Sequence, residues 1–143
     1  MFDTPVKDVM KRRNLLRAAP ATLVDNAARR MSARGVGAIM VVERGALVGI
    51  FTERDIVTRV VAPGLDPHAT RLADVMTRAP QTIEPDRPFG LALRVMQENG
   101  FRHLPVVVDG KPVGIVSSRT AMDPELEEFV AEANRRKHFE EAP

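Results

Sequence analysis

Apolar residues along this chain fall into two kinds of spacing, and the two kinds alternate. "AIMVV" (Ala38 to Val42) and "LPVVV" (Leu104 to Val108) are short unbroken apolar runs. Each is followed, across Arg44-Gly45 or Asp109-Gly110, by a second run, "LVGIF" or "PVGIV". Short runs separated by such turn residues predict strand hairpins, and Asp-Gly in particular favours a tight one. Ahead of each hairpin the apolar spacing lengthens to three and four residues. Leu23, Ala27 and Met31 in one place, and Phe89, Leu93 and Met96 in the other, predict one apolar helix face. Thr22 is placed to cap the first helix, and Gly35 and Gly100 to end the two. A short extended piece precedes each helix (Leu15 and Leu16; Thr82 and Ile83), with a turn at Pro20 or Pro85. A further helix begins at Thr52 or Ser117. Periodic spacing accounts for the helical Met and Ala residues as packing groups, so they are not read as ligands.

The same order of elements occurs twice because the sequence itself repeats. A shift of 65 pairs Pro20 with Pro85, Ala27 with Ala92, Met31 with Met96 and Gly35 with Gly100. It also pairs Val41 with Val106, Gly45 with Gly110, Gly49 with Gly114, Ile50 with Ile115 and Arg54 with Arg119. "DVM" at Asp8–Met10 matches "DVM" at Asp74–Met76 with a shift of 66. The expected fold is therefore α/β of the α+β kind, built of tandem β-α-β-β-α repeats. Residues 1–61 make the first repeat, 62–71 a linker, 72–122 the second repeat and 123–143 a tail. A unit of about sixty residues has a marginal core, so the two repeats are expected to pack on each other.

Composition narrows the function. With 0 Cys among 143 residues there is no disulfide framework and no thiol nucleophile, as suits a reducing compartment. No apolar run approaches the ~18 residues of a membrane span, and the first residues lack a signal-peptide core. The expectation is a cytoplasmic protein. The net charge of +2 is unevenly placed. Residues 123–143 carry seven acids and three bases, net −4, leaving 18 bases against 12 acids, net +6, in residues 1–122. A basic body could attract an anionic ligand or its own acidic tail. Nucleic acid is disfavoured as a partner: there is no Trp or Tyr, and the basic run Lys11–Asn14 is short.

The chemistry concentrates where each hairpin ends. "GIFTERDIV" (Gly49 to Val57) and "GIVSSRTAM" (Gly114 to Met122) share Gly-Ile, a hydroxyl and an Arg, but Thr120 stands where the first copy has Asp55. Thr-x-x-Asp at a helix start is close to a capping box, which needs no ligand. Free N–H groups at a helix start also suit a phosphate, and a carboxylate held there can accept from both hydroxyls of a ribose. Both readings stand on the residues alone. No catalytic set emerges: His68 and His138 have no metal-ligand spacing, "SSRT" has no base partner, and neither a P-loop nor Gly-x-Gly-x-x-Gly is present. No enzyme, no metal and no catalytic cofactor are expected.

"GVGAIMVVERGALVGIFTERDIV" and "FRHLPVVVDGKPVGIVSSR" together resemble the cystathionine-β-synthase (CBS) domain family, and their tandem order resembles the CBS pair, or Bateman module. The resemblance covers about residues 6–122. It implies a regulatory module with a cleft between the repeats for adenosine-containing ligands: AMP, ADP or ATP, with S-adenosylmethionine and NAD in the same class. It implies a ribose role for Asp55 and ribose or phosphate contacts for Thr52, with Arg54 beside them. Arg102 and His103 from the second repeat would meet phosphates, and the base would lie near Pro80, Gln81, Thr82 and Phe101. Phe101 and His103 are also compatible with plain structural roles. A weaker second pocket would hold Ser117, Thr120, Val36 and Gly37, without an acid.

Asp123-Pro124, acids in the first turn and "RRK" in the last predict a helical tail with the apolar stripe Leu126, Phe129, Val130 and Ala133. That stripe requires cover, from its own body or from a second subunit. The resemblance implies a homodimer. The leading expectation is a stand-alone sensor of cellular energy state that signals to a regulated protein. The alternative is an interaction or dimerisation module with vestigial pockets.

Overall fold

The computed structural model describes residues 2–122 together with Arg135. The predicted tail helix lies outside these residues. The chain forms two compact units, and each takes pieces from both repeats.

The unit made of Arg13–Gln81 with Asp109–Pro112 contains β1 (Arg17–Ala18), α1 (Val24–Arg34), β2 (Ala38–Glu43) and β3 (Ala46–Thr52). A helical stretch comes after β3: α2 (Glu53–Asp55) runs directly into a π-helical segment, Ile56–Val61, closed by bonds such as Ala62 N–H to the Val57 carbonyl at 2.9 Å. Next come α3 (Leu72–Val75) and β4 (Thr77–Arg78). The sheet order is β1-β2-β3-β4, parallel at β1–β2 and antiparallel thereafter. Its core gathers Leu16, Val24, Ala27, Met31, Ile39, Val41, Phe51, Val60 and Leu72.

Of the described residues up to 122, the other unit holds Phe2–Arg12, Thr82–Val108 and Val113–Met122. Its elements are α4 (Phe89–Asn99), β5 (His103–Val108), β6 (Lys111–Ser117) from Val113 onward, the two strands sharing one sheet, and a 3-10 turn at Ser118–Met122. Two single bridges extend the sheet at equivalent places. Ile83 pairs with Val106 in parallel, as Ala18 does with Val41, and Lys11 pairs with Ile115, as Thr77 does with Ile50. The core contains Val6, Val9, Ile83, Phe89, Ala92, Met96, Leu104, Val106 and Val116.

The helix stops and hairpins agree with the sequence. Gly35 and Gly100 close α1 and α4 in the left-handed conformation, φ 63° and 71°. Arg44-Gly45 and Asp109-Gly110 have positive φ at both positions, the signature of the tight mirror-image turn that matches strand twist. The helix starts differ from expectation. Thr22 does not cap α1; Leu23 holds the cap position and is partly exposed, while Val24 takes its place in the core. The free N–H groups of Val24 and Asp25 instead donate to the carbonyls of Thr70 and Pro67, at 2.9 and 3.0 Å. In the other unit Phe89 and Gly90 donate to Thr4 and Phe2, at 2.8 and 2.9 Å. Backbone carbonyls from a distant segment thus replace a side-chain cap. The first extended piece is also shifted: β1 begins at Arg17, just after Leu15 and Leu16.

These caps belong to a wider exchange. Residues 4–10 pack on the second repeat, and residues 70–76 pack on the first. Val6 and Lys7 donate to the carbonyls of Arg87 and Pro85, just as Leu72 and Ala73 donate to Thr22 and Pro20. Met10 lies over Gly114 and Met76 over Gly49, where any Cβ would fall on the methionine sulfur. At Gly114 the added carbon would also stand 3.0 Å from the Lys11 carbonyl oxygen, which is backbone and pinned by the ladder to Ile115. At Gly49 its three nearest neighbours are all Met76 side-chain atoms. Gly114→Ala should therefore cost about 1–3 kcal/mol in urea unfolding, and Gly49→Ala less. Equal losses would show that the methionines, not the Lys11 backbone, set the limit.

Candidate functional site

Thr52 ends β3 in extended conformation and caps α2. Asp55 accepts on Oδ2 from the Thr52 backbone N–H at 2.9 Å and from the Thr52 hydroxyl at 3.1 Å. The Asp55 N–H returns a bond to Thr52 Oγ1 at 3.3 Å, completing a capping box. The residue is 8% exposed, the one buried charged residue among those described. Its other oxygen, Oδ1, faces Arg59 Nε at 3.5 Å. The carboxylate is thereby aimed by three local bonds and balanced by a cation one turn away.

The second copy brings the same two positions together more loosely and without the charge. The Ser117 N–H meets Thr120 Oγ1 at 3.4 Å, and the two hydroxyls lie 3.5 Å apart. A hydroxyl accepts more weakly than a carboxylate, and the next segment is a 3-10 turn where the first copy is helical. Thr120→Asp should restore the stronger box and raise stability by about 1 kcal/mol in urea unfolding. No gain would mean that the 3-10 turn, not the missing acid, limits this junction.

Within each unit, the strand start and the hydroxyl motif of the same repeat come together. The Glu53 N–H donates to the Gly37 carbonyl at 3.0 Å, and the Ser118 N–H donates to the Arg102 carbonyl at 3.0 Å. The end of the exposed Glu53 side chain lies over Gly37, and Val36 packs on the core of that unit. Arg54 is exposed, as is Gln81, while Pro80 is half-buried. In the other unit Thr82 and Arg102 are exposed, His103 is half-buried at the start of β5, and Phe101 packs partly against the core. Thr52, Arg54, Asp55, Pro80 and Gln81 therefore belong to one unit, and Thr82, Phe101, Arg102 and His103 to the other.

Arg59 is a residue of this site that the shared motif does not reveal. A local signal exists all the same: "DIVTR" places an acid and a base four apart on a helix, an ion-pair spacing. Position 124, its equivalent under the 65-residue shift, is proline. Among the described residues, no group of three or more His, Asp and Glu is placed to hold a metal ion, and no helix is long and apolar enough to cross a membrane.

The CBS domain signature matches this chain twice, over residues 6–62 and 72–123, the two repeats in order. The chain belongs to the CBS domain family. One CBS relative, the CBS domain-containing protein CBSCBSPB2 of Arabidopsis thaliana, is 44% identical over 96 residues. That match covers 66% of this chain and 18% of the relative, so the chain spans less than a fifth of that protein's length. Among solved structures, an uncharacterized conserved protein from Pyrococcus horikoshii shares the fold with a TM-score of 0.78 at 34% identity, covering 85% of this chain and 92% of that one. The CBS domain pair of protein MJ0100, solved in complex with 5′-methylthioadenosine and S-adenosyl-L-methionine, gives a TM-score of 0.75 at 27% identity, covering 83% and 97%. The fold class is thus a mixed α+β CBS pair.

Proposed function

We propose that this CBS pair is a regulatory module that binds an adenosine-containing ligand of the AMP, ADP or ATP class and signals its occupancy to a partner protein. The observation that carries the reading is the buried Asp55 carboxylate, held by a capping box in one repeat and replaced by a hydroxyl in the other. A carboxylate fixed in this way suits a ribose diol, and the relative in complex with two adenosine compounds supports that ligand class. In this proposal Thr52, Arg54 and Asp55 engage ribose and phosphate. Arg102 supplies a forked donor and His103 a second contact to phosphate, while Pro80, Gln81, Thr82 and Phe101 line the base. Ser117, Thr120, Val36 and Gly37 form a weaker site or none. The proposal gives each chain one good site and no catalysis. Binding acts by differential affinity for two arrangements of the module.

The proposal includes a cytoplasmic homodimer. Val57, Val61 and Leu65 are large apolar residues left exposed close together in sequence, which supports association. The same exposed residues favour a second reading, an interaction module whose pockets bind nothing. A thermal-shift panel of AMP, ADP, ATP, NAD, S-adenosylmethionine and GTP separates the two. A ligand present at 100 times its Kd should add about 2.7 kcal/mol to stability; no shift with any of them rejects the sensor. Arg102→Ala should weaken AMP more than adenosine, and equal weakening would remove its phosphate role.

A further inference from the structure

Arg59 is placed to do more than neutralise Asp55. Its Nη1 donates to the carbonyls of Val75 and Met76, at 3.1 and 3.0 Å, while Nε faces Asp55 Oδ1 at 3.5 Å. Val75 and Met76 form the C-terminal end of α3, where carbonyls lack helical partners. One guanidinium therefore joins the acid of the first repeat to the end of the helix that the second repeat contributes. Beyond α3 the chain enters β4, then reaches Ala79 at φ 43°, an uncommon left-handed conformation for alanine, and then Pro80 and Gln81. Met76 itself is seated over Gly49 in β3.

The two oxygens of Asp55 are not equivalent. Oδ2 already accepts two bonds from Thr52, whereas the contact of Oδ1 is the longer one to Arg59. A hydroxyl donated to this carboxylate would be taken by Oδ1, the oxygen that Arg59 shares. Resting on the adenosine-binding reading, we infer that Arg59 is the positioning residue for Asp55, coupling its carboxylate through the Val75 and Met76 carbonyls to the segment Thr77–Gln81. Only a forked, planar cation can hold an acid on one edge and two carbonyls on another; a lysine ammonium lacks that geometry.

The test has a ligand-free arm and a ligand arm. Amide hydrogen exchange is followed at Thr77–Gln81 in the parent, Asp55→Asn, Thr52→Val, Arg59→Lys and Arg59→Gln proteins. Asp55→Asn should speed exchange in that segment several-fold, although its bonds to Thr52 and Arg59 stop short of the segment, and Arg59→Lys should do the same. Thr52→Val, which disturbs the cap and leaves the Oδ1 contact, should leave the segment unchanged. In the ligand arm, titration with AMP should give a Kd about tenfold higher for Arg59→Lys and for Arg59→Gln at similar melting temperature. An Asp55→Asn protein with unaltered exchange at Thr77–Gln81 would make Arg59 a mere peg for α3 and overturn the inference. So would an Arg59→Lys protein that binds AMP as tightly as the parent. If AMP fails to bind the parent itself, the ligand reading falls, and the exchange comparison alone still decides the coupling.

Discussion

Asp55→Ala is expected to abolish nucleotide stabilisation and to lower the melting temperature of the unliganded protein. The two effects have separate causes. The first comes from the proposed ribose contact: a ligand that adds about 2.7 kcal/mol to the parent at 100 times its Kd should add almost nothing to the variant. The second comes from the capping box, since losing its acid leaves the Thr52 backbone N–H without its partner at 2.9 Å and Arg59 without its acid. Cap losses cost about 0.5–2 kcal/mol, which is roughly 2–6 °C for a chain of this size. Asp55→Asn divides the effects, because an amide can still accept at the cap but presents a donor and no charge beside Arg59. Differential scanning fluorimetry with and without AMP reads both. A variant that melts lower yet gains as much from AMP as the parent would leave Asp55 as a cap and move the ligand elsewhere.

Removing residues 1–10 should have a still larger effect, confined to one unit. Val6 is fully buried and Val9 nearly so, both within the core around Phe89 and Leu104. Each valine contributes about 1.5–3 kcal/mol by burial. The N–H groups of Phe89 and Gly90 would lose their carbonyl acceptors, at about 1–3 kcal/mol for each one left unpaired. These losses together rival the roughly 5–15 kcal/mol that holds a whole domain. Native-state hydrogen exchange should therefore show α4, β5 and β6 unprotected, while α1, β2 and β3 keep slow amides. Uniform protection across both units would mean that the N-terminal segment is an ornament on a self-sufficient repeat. Uniform loss would mean that the units cannot fold separately.

Much of the fold and of the local geometry around Asp55 is legible in the sequence, and the misses share a cause. The repeat, the helix-ending glycines, the two hairpins and the Thr52–Asp55 box are each marked by residues close in sequence or by exact repetition, where spacing and turn chemistry speak directly. Thr22 is not the cap that its hydroxyl suggests, because the acceptors for α1 are the Pro67 and Thr70 carbonyls, more than forty residues downstream. Carbonyls leave no compositional trace. Leu23 and Val24 exchange roles for the same reason: the distant segment fixes where the helix starts. The match between "DVM" at 8–10 and at 74–76 is visible in the sequence, yet its spacing does not say that each copy packs on the other repeat. Arg59 escapes a comparison of the two copies although its pairing with Asp55 is local, because the second copy has no counterpart to it.

The exchange of opening segments also sets an order of events on the ribosome. Residues 13–81 supply nearly all of one unit and can close soon after they emerge. Residues 4–10 must wait for Pro85–Phe89, and Lys11 for Ile115, partners synthesised some eighty to a hundred residues later. Until then Val6, Val9 and Met10 have no core to enter. Contacts of such long sequence separation are slow to form, and apolar segments kept waiting are what holding chaperones recognise and what aggregation exploits. Residues 4–10 are thus made ahead of the rest of the pair and are among its last parts to find their place.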